Sequence, residues 1–215
     1  MAVEETYHKI VDQIRFGILS PQEIRKMSVV EIQTADTYDE DGAVISSGLM
    51  DSRLGVLEPG QRCRTCGNTS VRCPGHFGHI ELAVPIIHVE FAEVIYNLLQ
   101  AICRNCGRIL LPEKTIRSLK ARMERLRRLI GTLPAPFYSR VFEEAKRNRE
   151  CPYCGARQYK IEFVKPTIFH EYTEKEGSRR LTANMIRERF ERIPDEDLEL
   201  LGFDPKNARP EWMIL

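Results

Sequence analysis

The sequence lacks any apolar run long enough to cross a bilayer, and its 215 residues carry a formal net charge of only +1. The first absence argues against a membrane span; the second means that overall charge names no partner. No secretory signal pattern opens the chain, and its seven cysteines are an odd number, so a disulfide framework would leave one thiol unpaired. A soluble intracellular protein is expected. A hydrophobic content of 42% suffices for one sizeable domain or two small ones.

What is present is a set of closely spaced metal-type ligands. The run Cys63-Arg-Thr-Cys66-Gly-Asn-Thr-Ser-Val-Arg-Cys73-Pro-Gly-His76 holds two ligand pairs, each with two residues between its members. That spacing lets both side chains of a tight turn reach one tetrahedral ion. Gly67, Asn68 and Ser70 lie between the pairs and allow the chain to double back. Two further pairs follow, Cys103-Arg-Asn-Cys106-Gly107 and Cys151-Pro-Tyr-Cys154-Gly155. In all three Cys-x-x-Cys pairs a glycine follows the second cysteine, where a knuckle favours positive φ. The cysteines and His76 thus make two complete sets: Cys63, Cys66, Cys73 and His76, and Cys103, Cys106, Cys151 and Cys154. Four protein ligands leave no open position, so both are expected to be structural Zn2+ sites, with no catalytic residue among them.

Other readings of the same residues exist. His79 can replace His76 as fourth ligand, or stand as a surface or second-shell histidine. A thioredoxin-like redox pair needs only one Cys-x-x-Cys. His88-Val-Glu90 followed by a Cys-x-x-Cys resembles a zinc deaminase signature, but no proline precedes Cys103 or Cys151, and using the first pair alone would strand the second. An independent zinc-ribbon module that binds protein or nucleic acid is a further alternative. It would stand as a stable monomer.

Charge and periodicity organise the rest. Between Cys103 and Ile130 nine basic residues face only Glu113 and Glu124, a local excess of seven. A strand is expected over Ile14–Ile18, a helix from the Ser20-Pro21-Gln22-Glu23 capping signal through Met27, a strand at Ser28–Ile32, an exposed acidic loop over Asp36–Gly42 and a strand at Ile80–Val84. Phe91, Val94, Ile95, Leu98, Leu99 and Ile102 form one helical face. Ile116, Leu119, Met123, Leu126 and Ile130 form a seam in a helix opened by Pro112, and another helix runs from Phe137 to Arg149. The 44 residues between Cys106 and Cys151 therefore form a helical hairpin closed at its base by metal. A strand pair at 158–164 and 167–172, a turn at Gly177-Ser178, a helix from Thr182 and another over Asp195–Leu201 follow. His170 has no companion ligand and is read as structural. The terminus Arg209-Pro-Glu-Trp-Met-Ile-Leu215 is apolar enough to require cover from later residues, as in a piece of a longer chain.

Taken together, Phe16-Gly-Ile-Leu-Ser20-Pro-Gln-Glu-Ile-Arg25, Gly48-Leu-Met-Asp51-Ser-Arg53-Leu-Gly55, the Cys63–Leu82 run with Cys73-Pro-Gly-His-Phe-Gly-His-Ile80, and Arg209–Leu215 resemble the N-terminal part of the largest subunit of multisubunit DNA-directed RNA polymerases, most closely its archaeal A′ form. That resemblance implies an α+β fold: a zinc-stapled, mostly helical clamp-head module with short antiparallel strands. Its segments would be residues 1–60 (strand and helix), 61–85 (zinc knuckle), 86–156 (helical hairpin) and 157–215 (strand pair and helices). It implies a clamp that closes over template DNA and the RNA–DNA hybrid. The nucleotidyltransferase chemistry and its catalytic Mg2+ would reside elsewhere in the largest subunit, since the family's triple-aspartate motif, lid, rudder and long coiled coil have no match here. Implied partners are the remainder of the largest subunit, the second-largest subunit, DNA, and initiation and elongation factors, with no membrane. The compartment would be the cytoplasm of an archaeon, or the nucleus of a eukaryote. On a clamp, Lys120, Arg122, Arg125, Arg127, Arg128, Arg179 and Arg180 are the candidates for phosphate contact.

Overall fold

The computed structural model describes residues 11, 14, 17–173 and 177–215. The strand expected at 14–18 lies partly outside them. Helix α1 (Pro21–Met27) forms as its capping signal requires. The Glu23 N–H donates to Ser20 Oγ at 3.2 Å while the Ser20 N–H donates to Glu23 Oε2 at 2.8 Å. Strand β1 (Val30–Glu31) then pairs with β2 (Gly78–His79), and this pair is parallel, not antiparallel. The strand expected at Ile80–Val84 is displaced to β2. Beyond His79 the alternating residues have no ladder partner, and Ile80 and Val84 are 60% and 66% exposed.

A short 3-10 turn at Val89–Phe91 leads into α2 (Ala92–Ala101), whose Ile95, Leu98 and Ala101 are fully buried. Helix α3 (Glu113–Ile130) takes Pro112 as its N-cap and ends at Gly131. Its seam is covered at Ile116, Leu119 and Met123, but Ile130 is 57% exposed, so the helix outruns the core it packs on. Helix α4 (Ala135–Lys146) starts two residues before the expected Phe137, because Pro136 fits the first helical turn, and it stops short of Arg149. It lays Phe137, Val141 and Ala145 against α2.

Strands β3 (Lys160–Val164), β4 (Ile168–Thr173) and β5 (Gly177–Leu181) form an antiparallel sheet in that order. The third strand corrects the expectation of a strand pair: Gly177 and Ser178 open β5. Its Gly-Ser-Arg-Arg run is exposed, as on a solvated edge strand, and so carries no apolar alternation. Helix α5 (Ala183–Glu191) is capped by Thr182, and α6 (Asp195–Leu200) follows at once. The terminal 3-10 turn Pro210–Met213 packs on α5. Ile86 and Leu215 exchange backbone hydrogen bonds of 2.9 Å, and Met213 and Ile214 are buried. The expectation that this end needs later residues to cover it is therefore not met at those side chains.

One continuous apolar core runs from Ala92 to Ile214 and includes Cys103 and Cys151. Among the described residues, the chain before residue 86 adds only half-buried Ile18 to it. The described hydrophobic residues buried in that earlier stretch are Val30, Val56 and Cys63.

Candidate metal centres and basic surface

The three Cys-x-x-Cys pairs adopt one backbone turn. In each, the first cysteine's N–H donates to the carbonyl five residues on (Asn68, Arg108, Ala156), and the glycine N–H donates back to that cysteine's carbonyl, all at 2.8–3.0 Å. Gly67, Gly107 and Gly155 have φ of 72°, 74° and 67°, as the spacing required. At Gly107 a side chain is also excluded by space, since a Cβ would stand 2.6 Å from the Arg192 carbonyl oxygen.

These turns converge in two groups. One ligand atom from each of Cys63, Cys66, Cys73 and His76 lies within 4.8 Å of the others, and the same holds for Cys103, Cys106, Cys151 and Cys154. The edges are informative. Cys66–Cys73 Sγ atoms are 3.7 Å apart, Cys106–Cys151 3.7 Å and Cys103–Cys154 3.5 Å, and Cys73 Sγ lies 3.7 Å from His76 Nε2. A disulfide needs sulfurs about 2.05 Å apart, whereas four thiolates about 2.3 Å from one ion stand about 3.8 Å from each other. Both donor sets fit a tetrahedral zinc ion.

Their electrostatics point the same way. The Asn68 N–H, helped by His76, pulls the Cys66 thiol down to about 6, and the Ala156 N–H does the same for Cys154. Burial pushes Cys106 up to about 12 and raises Cys151. At Cys73 the Gly75 N–H lowers the thiol, but desolvation and the sulfurs of Cys66 and Cys63 together outweigh it. Crowded thiols of this kind ionise together only beside a cation, which a metal supplies.

His79 is occupied elsewhere. Its Nδ1 lies 2.7 Å from Ser28 Oγ and its Nε2 3.6 Å from Glu81, so it braces β1 against β2. His88 and Glu90 belong to neither cluster; His88 caps the 3-10 turn by accepting from the Glu90 N–H. With Cys103 and Cys106 converging on Cys151 and Cys154, the deaminase arrangement is not assembled. His170 Nδ1 sits 3.2 Å from Ser178 Oγ across the β4–β5 pair.

Supporting side chains that spacing did not single out hold each cluster in place. Buried Asp51 accepts from the Ser47 N–H, the Arg53 N–H and the Arg53 guanidinium, which hold its carboxyl well below the usual range. The Arg53 carbonyl in turn accepts from Thr65 Oγ1 at 2.7 Å, tying that turn to the first knuckle. At the second cluster fully buried Asp197 of α6 accepts from Arg108 Nε at 2.7 Å and the Ile109 N–H at 3.0 Å. Gln158 donates to Cys103 Sγ and accepts from the Arg104 N–H. The motif Gly48–Gly55 marked the first of these in sequence. Nothing local marked Asp197, which acts across 89 residues.

The seven basic candidates separate. Lys120 pairs with Glu196 at 2.6 Å and Arg127 with Glu199 at 3.8 Å, so both face α6. Among the described residues Arg122, Arg125 and Arg128 form no ion pair, and all three are exposed. Arg179 and Arg180 lie on β5 opposite Glu171 and His170, on opposite sheet faces. The Glu171 carboxylate is taken by Arg189 of α5, through bonds of 3.0 and 2.9 Å.

Comparison with known proteins places this geometry. A family model described as RNA polymerase Rpb1, domain 1, matches residues 8–215. A relative named DNA-directed RNA polymerase subunit Rpo1N from Sulfolobus acidocaldarius is 49% identical over 96% of this chain and 23% of its own length. The proteins of that name from Thermococcus celer and Methanocaldococcus jannaschii are 46% and 49% identical over 98% and 96% of this chain, and over 24% and 15% of their own. The chain thus spans about a quarter or less of these relatives. On the extent of the family match, the chain belongs to the family of RNA polymerase Rpb1, domain 1.

Proposed function

We propose that this chain forms part of the clamp of a DNA-directed RNA polymerase, a wall that closes over template DNA and the RNA–DNA hybrid. Its two clusters each hold one structural Zn2+: Cys63, Cys66, Cys73 and His76 the first, Cys103, Cys106, Cys151 and Cys154 the second. Bound zinc supplies cross-linking, not reaction chemistry, because four protein donors fill its shell. The observation that carries this reading is the pair of closed four-donor sets, each pinned to scaffold by buried carboxylates, in a chain of this family.

What the chain's own residues do is transmit motion as one body. Asp197, Glu171 and Arg189 tie the second knuckle and β4 to α5 and α6, so a push on the α3–α4 hairpin reaches the core without bending at the metal site. Nucleotidyl transfer, with its Mg2+, belongs to the rest of the largest subunit together with the second-largest one; initiation and elongation factors dock on the assembly. No described helix is long and apolar enough to cross a membrane, and the relatives' archaeal sources favour the cytoplasm.

The test is retention. In an assembled polymerase carrying Cys63→Ser with Cys66→Ser, the salt-challenged complex with template should dissociate faster than wild type, while single-nucleotide addition by the surviving complex is unchanged. Equal lifetimes would contradict the clamp assignment.

A further inference from the structure

The α3–α4 hairpin carries a groove that sequence reading did not single out. It encloses about 340 Å³ and is lined by Lys114, Thr115, Ser118 and Arg122 of α3 and by Arg140 and Glu144 of α4, over Leu119. Three cations and two hydroxyls thus converge from two helices on one concavity, against a single carboxylate. Neither Lys114, Arg122 nor Arg140 forms an ion pair among the described residues, although α3 uses Arg117, Lys120 and Arg127 in that way. Apart from Glu113, which engages Arg117 within α3, the acidic partners belong to α6. Asp195, Glu196, Asp197 and Glu199 of α6 engage Arg209, Lys120, Arg108 and Arg127 in turn. One flank of α3 is therefore neutralised by the fold, and the groove flank sets three cations against one carboxylate, that of Glu144. Such a cluster is self-repulsive when empty, and an anion that enters it relieves that repulsion.

We propose that this groove is a phosphate-backbone site: Lys114, Arg122 and Arg140 hold successive phosphates of a nucleic-acid strand, with Thr115 and Ser118 donating hydroxyl hydrogen bonds. Guanidinium pairs suit phosphate oxygens, and no exposed aromatic lines the groove to stack on a base, so the contact is to backbone and independent of sequence. The proposal rests on the clamp reading and sharpens it. Arg140 and Lys114 join the nucleic-acid face, and Lys120 and Arg127 leave it.

The experiment uses the assembled polymerase and measures how complex stability on duplex DNA falls with salt. Each lost phosphate contact should flatten the log–log slope by about 0.9. The triple variant Lys114→Gln, Arg122→Gln, Arg140→Gln should flatten it accordingly, its charge-preserving counterpart Lys114→Arg, Arg122→Lys, Arg140→Lys should restore most of the slope, and Lys120→Gln with Arg127→Gln should leave it unchanged. If the triple variant keeps the wild-type slope while Arg125→Gln with Arg128→Gln, or Arg179→Gln with Arg180→Gln, lowers it, the groove assignment is overturned and the clamp reading survives. If no variant alters the slope, both fall. Titration with inorganic phosphate distinguishes the source of the anion: a triple variant that loses phosphate binding with an unchanged DNA slope marks a free-anion site and overturns the nucleic-acid assignment.

Discussion

The two cysteine clusters share one backbone turn but sit in opposite surroundings. The second is built into the core: Cys103 and Cys151 belong to the same apolar cluster as Ile95, Leu98, Phe169 and Phe190. The first stands on a stretch whose elements are a seven-residue helix and a two-residue strand pair. Among the described residues its buried members are Ser20, Val30, Gly48, Asp51, Val56 and Cys63. A stretch with so little apolar surface to hide has little hydrophobic gain to set against the entropy of ordering its loops. The comparison teaches that the same ligand turn does two jobs. In the first cluster a bound metal would take the place of a core, and in the second it would clip a hairpin onto a core that already exists.

Removing metal should break this comparison most visibly. Chelation, or Cys63→Ser, should abolish hydrogen-exchange protection across residues 28–79, since metal-coupled folding free energies run to about 10 kcal/mol or more. Protection in α2 and α5 should persist. Loss in all regions together would show that the two parts form one cooperative unit. Next in size, Leu98→Ala should destabilise the helical part by about 2–5 kcal/mol in denaturant unfolding and leave the zinc content of the first knuckle unaltered. Glu171→Ala, which strands Arg189 with only 11% of its side chain exposed, should cost about 3–5 kcal/mol in that part alone.

A smaller and pH-dependent effect belongs to the first region. Asp51 has its carboxyl lowered in the folded state by its bonds from Arg53 and Ser47. Its contribution is therefore complete above the unfolded value of about 4 and fades as pH falls through the lower folded value. Asp51→Asn should lower stability near neutral pH and flatten that acid limb, read as exchange protection at residues 47–66 against pH. An unchanged acid limb would show that Asp51 does not anchor the knuckle.

The same contrast explains what was legible in sequence. Features fixed by neighbours along the chain were readable: the Ser20–Glu23 capping box, the apolar face of α2, and the glycine-closed ligand pairs. The closed four-ligand sets followed from ligand arithmetic, because seven cysteines and His76 fill two tetrahedra with none left over. Features fixed by distant partners were not. Strand β5 exists because β4 offers it a ladder, not because Gly-Ser-Arg-Arg favours extension. His79 lost its place as a candidate ligand to Ser28, 51 residues away. The basic residues of α3 look equivalent in sequence; apart from Arg117, which Glu113 of the same helix engages, it is the acidic face of α6 that divides them among the described residues into paired and unpaired.

The central claim is that both metal shells are closed by protein side chains. Zinc quantification combined with X-ray absorption spectroscopy on the assembled protein tests it most directly. Two zinc ions per chain are predicted, one with three sulfurs and one nitrogen and the other with four sulfurs. A single ion per chain, or an oxygen from bound water in either shell, would contradict the account.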